Sequence, residues 1–353
     1  MAIFIRADAS VYLGTGHIVR CMTMADMLRR IGRKVYFISR ELPGNLCDWC
    51  ESQGFPVFRI SNPCTLDVDE FDPKHDAECV EKLFRQYAGS IEWLIVDHYG
   101  IDQCWETMIH PFVLKIMVID DLANRPHECD VLLDQNLHEN PERRYAKLIP
   151  EYCKTFFGPQ YALLRQEFHE ARSRIRKRDG NIKRILLFFG GSDPTNETAK
   201  VLRVIRTMDR PDLEVAVIVG QSNCYKDEVY TLCQELPNAS YYCQVTNMAE
   251  LMNWADLAIG AGGSTTWERC YLGLPSLTVI IAANQREVTE SVTKAGATLN
   301  LGFAKDITEG DIQAALEYVF KHPQKLREIS VTALKIMDEP DTGKRILDMF
   351  LEG

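Results

Sequence analysis

The chain has 353 residues, about two domains' worth, and 46% of them are apolar, enough to bury a core in each domain. Its 50 acidic residues against 40 basic ones leave a formal net charge of −10, which argues against nucleic-acid binding and against broad binding to an anionic membrane, while leaving room for a local basic site. The start, MAIFIRADAS, meets Asp8 too early for the apolar region of an export signal, and no run approaches the ~18 continuous apolar residues of a membrane span, so a cytoplasmic protein without stable membrane association is expected.

The first apolar run, AIFIRAD, reads as a buried strand ending at Asp8. After it comes the loop Gly14-Thr15-Gly16-His17, which opens a helical pattern. A histidine at a helix start tends to stay neutral, because the macrodipole disfavours imidazolium, and Gly14 and Gly16 leave room for a ligand beside the ring. Capping or plain packing is the competing role for such a histidine. Asp8 lies near enough in sequence to orient His17, to bind a ligand hydroxyl, or to cap the loop.

KVYFIS, EWLIVDHY, LKIMVIDD and DVLLDQN continue the strand series, with helical patterns between them. Asp97, His98, Tyr99, Asp102, Asp120 and Asp121 fall at or just after strand ends. His98 is a second candidate base, but it lacks the glycine loop and helix start that tune His17. Cys47 and Cys50 form the single CxxC pair, with His75 and Cys79 the nearest further ligands; helix-packing thiols suit them better than zinc, and the other scattered cysteines are expected to be reduced. Asp67 and Asp69 lie in a polar, unpatterned loop and read as a solvated acidic run, so no metal is expected.

Residues 171–183 are basic, glycine-broken and apolar-poor, the composition of an exposed linker. Two domains are therefore expected, 1–175 and 176–353. A second strand series follows: KRILLFFGG, LEVAVIVG, ASYYCQV, ADLAIGAGG, PSLTVII and ATLNLG. Strands alternating with helices imply an α/β protein of two doubly wound, Rossmann-like parallel sheets, with ligands beyond the strand C-termini in a cleft faced by both domains. In FFGGSDPTN, Ser192 and Asn196 can approach a phosphate or sugar, while Asp193-Pro194 reads as an N-cap followed by proline at the first helical position.

The segment GAGGSTTWERCYLGLP, Gly260 to Pro275, is the most informative. Gly262 and Gly263 allow a diphosphate to lie against backbone N–H groups, Ser264, Thr265 and Thr266 add hydroxyl donors, and Glu268, one turn after Ser264, can accept both hydroxyls of a ribose. No lysine follows the glycines, so this is not a P-loop, and no paired acid makes it a dinucleotide fingerprint. Tight strand-to-helix packing is the alternative use of the same glycines. In IIAANQREV, Asn284 and Gln285 offer neutral donors and acceptors suited to acetamido and hydroxyl groups, with helix capping as the alternative for Asn284. The last fifty residues read as helices.

This donor-type loop resembles that of glycosyltransferase-B-fold enzymes of the MurG-like class. Together with RADASVYLGTGHIVRCMTMADML, IVDHYGID, IDDLANRPHECDVLLDQN, GPQYALLRQEF, FFGGSDPTN and AANQ, the chain is similar from end to end to the UDP-sugar hydrolases of pseudaminic acid biosynthesis. The resemblance implies hydrolysis of UDP-2,4-diacetamido-2,4,6-trideoxy-β-L-altropyranose to UDP and the free sugar. It implies His17 as the base that activates water, Tyr99 in the sugar site, Asn284 and Gln285 near the hexose or phosphates, no cofactor, and a helix start in place of a metal behind the departing UDP. Asp8, Gly14 and Gly16 complete the expected sugar site. The sequence has no signal for oligomerisation, and a monomer is expected. A transferase of the same fold is the nearest alternative, with a non-catalytic nucleotide-sugar-binding protein after it. A lipid-linked acceptor would favour an exposed apolar and basic patch on the first domain, and no run there supplies one.

Overall fold

The computed structural model of the chain describes residues 2–61, 70–208, 210–338 and 343–351. The chain divides into two compact units, Met1–Leu163 with Asp341–Gly353, and Leu164–Pro340.

The first unit is built on seven strands, β1 (Ala2–Ala7), β2 (Lys34–Arg40), β3 (Val57–Ile60), β4 (Ile91–Asp97), β5 (Lys115–Ile119), β6 (Val131–Asp134) and β7 (Lys154–Phe157). All pair in parallel, in the order β3-β2-β1-β4-β5-β6-β7. The reason lies in the composition of the central strands. β1 and β4 are buried along their whole length, so both faces of the sheet need helices over them, which parallel crossovers supply. Alternation splits β1 between two cores: Ile3, Ile5 and Ala7 pack with the long helix α1 (Gly16–Arg30), whereas Ala2 and Phe4 pack with Val80, Phe84 and Trp105. Phe4 stacks on Tyr36 at 5.0 Å and meets Phe84 edge-on at 5.1 Å. The chain's terminal helix, Lys344–Leu351, belongs to this unit and buries Phe350 against Trp93.

The second unit has six parallel strands, β8 (Arg184–Phe188), β9 (Glu214–Val219), β10 (Ala239–Cys243), β11 (Leu257–Ala261), β12 (Ser276–Ile280) and β13 (Leu299–Phe303), in the order β10-β9-β8-β11-β12-β13. The two doubly wound sheets are those read from the sequence.

Residues 171–183 are not an exposed linker. Arg176 donates to the carbonyls of Asn253, Trp254 and Ala255, and Arg178, buried, donates to those of Met252, Ala255, Leu272 and Gly273. These carbonyls lie at the C-terminal ends of the helices Met248–Trp254 and Thr265–Tyr271. A helix end needs donors and favours positive charge there, so arginine is the residue that can be buried at such a place. The basic composition that suggests solvent is here the glue of the second unit.

In both sheets the strand order reverses once, between β1 and β4 and between β8 and β11. At such a point neighbouring crossovers leave in opposite directions and open a crevice beyond the strand C-termini. The loop that leads into α1 and His17 follows β1, and the glycine loop of residues 262–264 follows β11.

Candidate active site

His17 is the second residue of α1, and the turn before it is fixed locally. Ser10 Oγ accepts from the N–H groups of Tyr12 and Leu13, Ser10 and Gly14 bond across the loop, and Gly14 takes φ +75°, a conformation glycine adopts without strain. A Cβ on Gly14 or Gly16 would meet nothing within 4 Å, so space is open at both glycines of the loop.

Asp97, at the end of β4, closes the constellation. Its Oδ1 lies 2.6 Å from His17 Nδ1, and Arg20, one turn further along α1, donates to both oxygens at 2.9 and 2.7 Å. Burial alone would push the Asp97 carboxyl up, but Arg20 and His17 outweigh it and hold the carboxyl well below the usual carboxylate range. Asp97 is therefore an ionised acceptor. The proton in the short contact belongs to His17 Nδ1, so in the neutral ring the lone pair lies on Nε2, which makes no hydrogen bond within the protein among the described residues. Tyr99 packs edge-on against His17, ring centroids 4.5 Å apart, and donates its hydroxyl to Asp121 at 2.9 Å. Arg20 reaches Asp121 as well, at 3.2 Å, although burial leaves that carboxyl above its ordinary value.

Asp8 does not orient His17; Asp97 has that role. The Asp8 carboxylate, 1% exposed, is held by Arg6, by the Arg40 backbone and guanidinium, and by His98 Nε2 at 3.2 Å. Arg6 also forks onto Asp76 from within β1. His98 accepts from the Gly100 N–H through Nδ1, so both its ring nitrogens are engaged, and burial lowers its pKa. No lone pair remains on it for a substrate.

Asp120 and Asp102 serve the fold. Asp120 holds Arg125 and Tyr145, and Asp102 caps the helix Gln103–Ile109. Cys47 and Cys50 are buried on the helix Cys47–Ser52. No group of three or more His, Cys, Asp or Glu suited to a metal occurs among the described residues; Asp67 and Asp69 lie outside them.

In the second unit, Gly262 is where close packing is required, since a Cβ there would lie 2.0 Å from Thr289 Oγ1. Gly263 is freer, with Gln285 Nε2 the nearest atom to its absent Cβ at 3.7 Å. Ser264 precedes the helix Thr265–Tyr271 and is exposed. Glu268 is largely buried: Oε1 accepts from Arg165 at 3.1 Å, while Oε2 is sealed from solvent with no hydrogen-bond partner among the described residues. A buried carboxylate oxygen without a donor is costly and suits a ligand that brings hydroxyls. Arg165 in turn pairs with Glu167, which accepts from the Ala249 N–H.

Gln285 ends a single 3-10 turn, Ala283–Gln285, and its Oε1 accepts from the Ile281 N–H. Asn284 is exposed and does not cap the next helix, Arg286–Lys294, whose N-cap position is Gln285. Asp193 caps the helix Glu197–Thr207 by accepting from Glu197 N and Thr198 N, but from three residues ahead of the N-cap Asn196, so Pro194 is not the first helical residue. In the first unit, Val11, Tyr12 and Leu13, ahead of the glycine loop that leads to His17, form an exposed apolar run.

Arg20 and Arg165 are the site residues that sequence reasoning missed. Arg20 carries a local signal, since it stands three residues after His17 on the same helix face. Its partner is 77 residues away, beyond the reach of any local pattern.

Comparison with known proteins places these features in context. The model of the glycosyltransferase family 28 C-terminal domain matches residues 185–345, which span the second unit's sheet and glycine loop. An uncharacterized protein of Methanocaldococcus jannaschii is 29% identical over 83% of this chain, which spans 58% of that protein's length. The UDP-2,4-diacetamido-2,4,6-trideoxy-beta-L-altropyranose hydrolase of Campylobacter jejuni is 25% identical over 84% of this chain and 97% of its own. Among solved structures, MurG of Acinetobacter baumannii superposes with a TM-score of 0.65 at 13% identity, covering 100% of this chain and 99% of its own. The fold is that of the glycosyltransferase-B enzymes. No helix among the described residues is long and apolar enough to cross a membrane.

Proposed function

We propose that this chain hydrolyses a UDP-sugar, with His17 drawing a proton from water as the water oxygen attacks the anomeric carbon. The observation that carries the reading is the 2.6 Å contact of His17 Nδ1 with ionised Asp97, which leaves Nε2 as the proton acceptor. As the new carbon–oxygen bond forms, the bond from the anomeric carbon to UDP breaks, and UDP leaves with the electron pair. The proton rests on His17 as an imidazolium, which Asp97 stabilises, and then passes to solvent. Attack opposite the leaving group inverts the anomeric centre.

In this reading the second unit takes the nucleotide. The backbone of Gly262 and Gly263 and the hydroxyls of Ser264 and Thr265 meet the diphosphate, and Glu268 Oε2 accepts from the ribose. Tyr99, Asn284 and Gln285 read the sugar, and Gly14 and Gly16 make room for it. Asp8 acts from behind, by fixing His98 and the end of β1. The protein's own donors face the leaving diphosphate, so turnover needs no metal. The substrate of the Campylobacter relative, UDP-2,4-diacetamido-2,4,6-trideoxy-β-L-altropyranose, is the one proposed here.

A second reading, transfer of the sugar to an acceptor, is favoured by the exposed Val11, Tyr12 and Leu13 in the loop that leads to His17, which suit an acceptor with an apolar part. Phosphorus NMR with that substrate, EDTA present and no acceptor added, separates the two. Stoichiometric UDP from the wild type, and none from His17→Leu with UDP affinity retained, is the expected result. A substrate spectrum left intact by the wild type overturns the hydrolytic reading.

A further inference from the structure

We propose that Arg269 is a positioning residue for the second unit's ligand: buried behind the glycine loop without an acidic partner, it holds a standing positive charge and orients the hydroxyls that a diphosphate meets. The inference rests on the UDP-sugar reading above and adds to it a residue that does not itself touch the ligand.

Arg269 leaves the helix Thr265–Tyr271 and folds back toward its first turn. One terminal nitrogen donates to Ala261 O at 2.9 Å and to Thr266 Oγ1 at 3.1 Å, and the other reaches Thr265 Oγ1 at 3.5 Å. It lies so close behind the strand end that a Cβ on Gly260 would stand 3.3 Å from it. The side chain is 3% exposed, and among the described residues its Nε has no hydrogen-bond partner and it forms no ion pair.

The other buried arginines show how unusual this is. Arg6 forks onto Asp8 and Asp76, Arg20 reaches Asp97 and Asp121, and Arg40 pairs with Asp8. Arg178 has no ion pair among the described residues either, but it sits at two helix C-terminal ends, where carbonyls and the dipole welcome a cation. Arg269 instead points toward the start of its helix, the end at which the backbone dipoles already make the surroundings positive. Burial pulls its guanidinium down to about 10, low for arginine yet still charged at neutral pH. A buried charge without a counter-charge is costly, and an anion held nearby lowers that cost.

The threonines extend the effect to the ligand. Each hydroxyl oxygen accepts from the guanidinium, so its own proton is left to donate elsewhere. For Thr265, which is only half-buried, that leaves a donor for a phosphate oxygen at the loop.

Equilibrium binding of UDP and of uridine to the full chain tests this, with wild type, Arg269→Met, Arg269→Lys and Thr265→Val compared. Uridine reports the nucleoside site without the diphosphate. Arg269→Met is expected to weaken UDP on the order of 10- to 100-fold and to leave uridine within about twofold. Arg269→Lys, which keeps the charge, is expected to recover most of the UDP affinity. Equal loss of UDP and uridine in Arg269→Met would reduce Arg269 to a structural support, and unchanged UDP affinity would likewise overturn the inference. Should Arg269→Met fail to fold, Thr265→Val decides: a selective loss of UDP supports the relay, and unchanged UDP affinity refutes it. Wild-type protein that binds no UDP overturns the UDP-sugar reading and this inference together, whereas UDP binding indifferent to Arg269 overturns the inference alone.

Discussion

Replacing Asp97 by asparagine keeps the shape of the constellation and removes its charge. The wild-type carboxylate accepts from His17 Nδ1 at 2.6 Å and from Arg20 at 2.7 and 2.9 Å. An amide accepts through one atom only, and its NH2 faces Arg20 or His17 as a donor against a donor. With charge centres about 4 Å apart and an effective dielectric of about 20, carboxylate and imidazolium attract by about 4 kcal/mol. That attraction exists only once His17 has taken the proton, so its loss falls on the transition state and corresponds to about 10³ in kcat. Initial rates of UDP release give kcat and KM, and a UDP titration gives ground-state binding. Asp97→Asn is expected to lose kcat by about three orders of magnitude with UDP affinity within about twofold. A kcat within about threefold of wild type, or a loss shared equally with UDP affinity, would refute the assignment of Asp97 as the partner of a protonating His17.

Other outcomes follow from the same geometry. Tyr99→Phe removes one hydrogen bond to Asp121 while keeping the ring against His17, so kcat/KM is expected to fall about tenfold, measured by initial rates. Glu268→Gln is expected to weaken UDP by about tenfold and 2′-deoxy-UDP by less, because part of the lost contact is to the missing hydroxyl; equal losses in the two titrations would remove Glu268 from the ribose. Asp8 and Asp97 both have depressed pKa values in the folded chain, so their stabilisation is complete above the ordinary carboxylate value of about 4 and is lost as pH falls below it. Thermal melts between pH 7 and pH 3 are expected to steepen downward below about 4, and Asp8→Asn to flatten that slope. Arg178→Met strips the donors from two helix ends and is expected to cost on the order of 3 kcal/mol in urea denaturation.

Much of the fold was legible because the central strands are long, apolar and bounded by glycine or acid, and such runs announce a parallel sheet by themselves. β3 and β7, four residues each at the sheet edges, carry too little pattern to register. The site was legible where a loop forces a residue type: Gly14 at positive φ beside His17, and the tight approach of Gly262 to Thr289. It was not legible where charge is buried. Arg6 sits in an otherwise apolar strand, where Asp76, 70 residues away, completes what the neighbouring Asp8 begins, and Arg178 sits in a stretch that looks solvated but is satisfied by carbonyls more than 70 residues away. The same non-locality hid Asp97 as the partner of His17 and made the nearer Asp8 look the better candidate. Local pattern reports on the backbone that a segment adopts, whereas buried ion pairs report on which segments the topology brings together.

The most direct test of the account is hydrolysis in ¹⁸O-labelled water with the UDP-diacetamido-trideoxy-altrose, followed by mass spectrometry of both products and NMR of the newly released sugar. Label on the anomeric oxygen of the sugar, none in UDP, and an inverted anomeric centre are predicted. Label in the phosphate, or a retained configuration, would contradict attack by a His17-activated water at the sugar carbon.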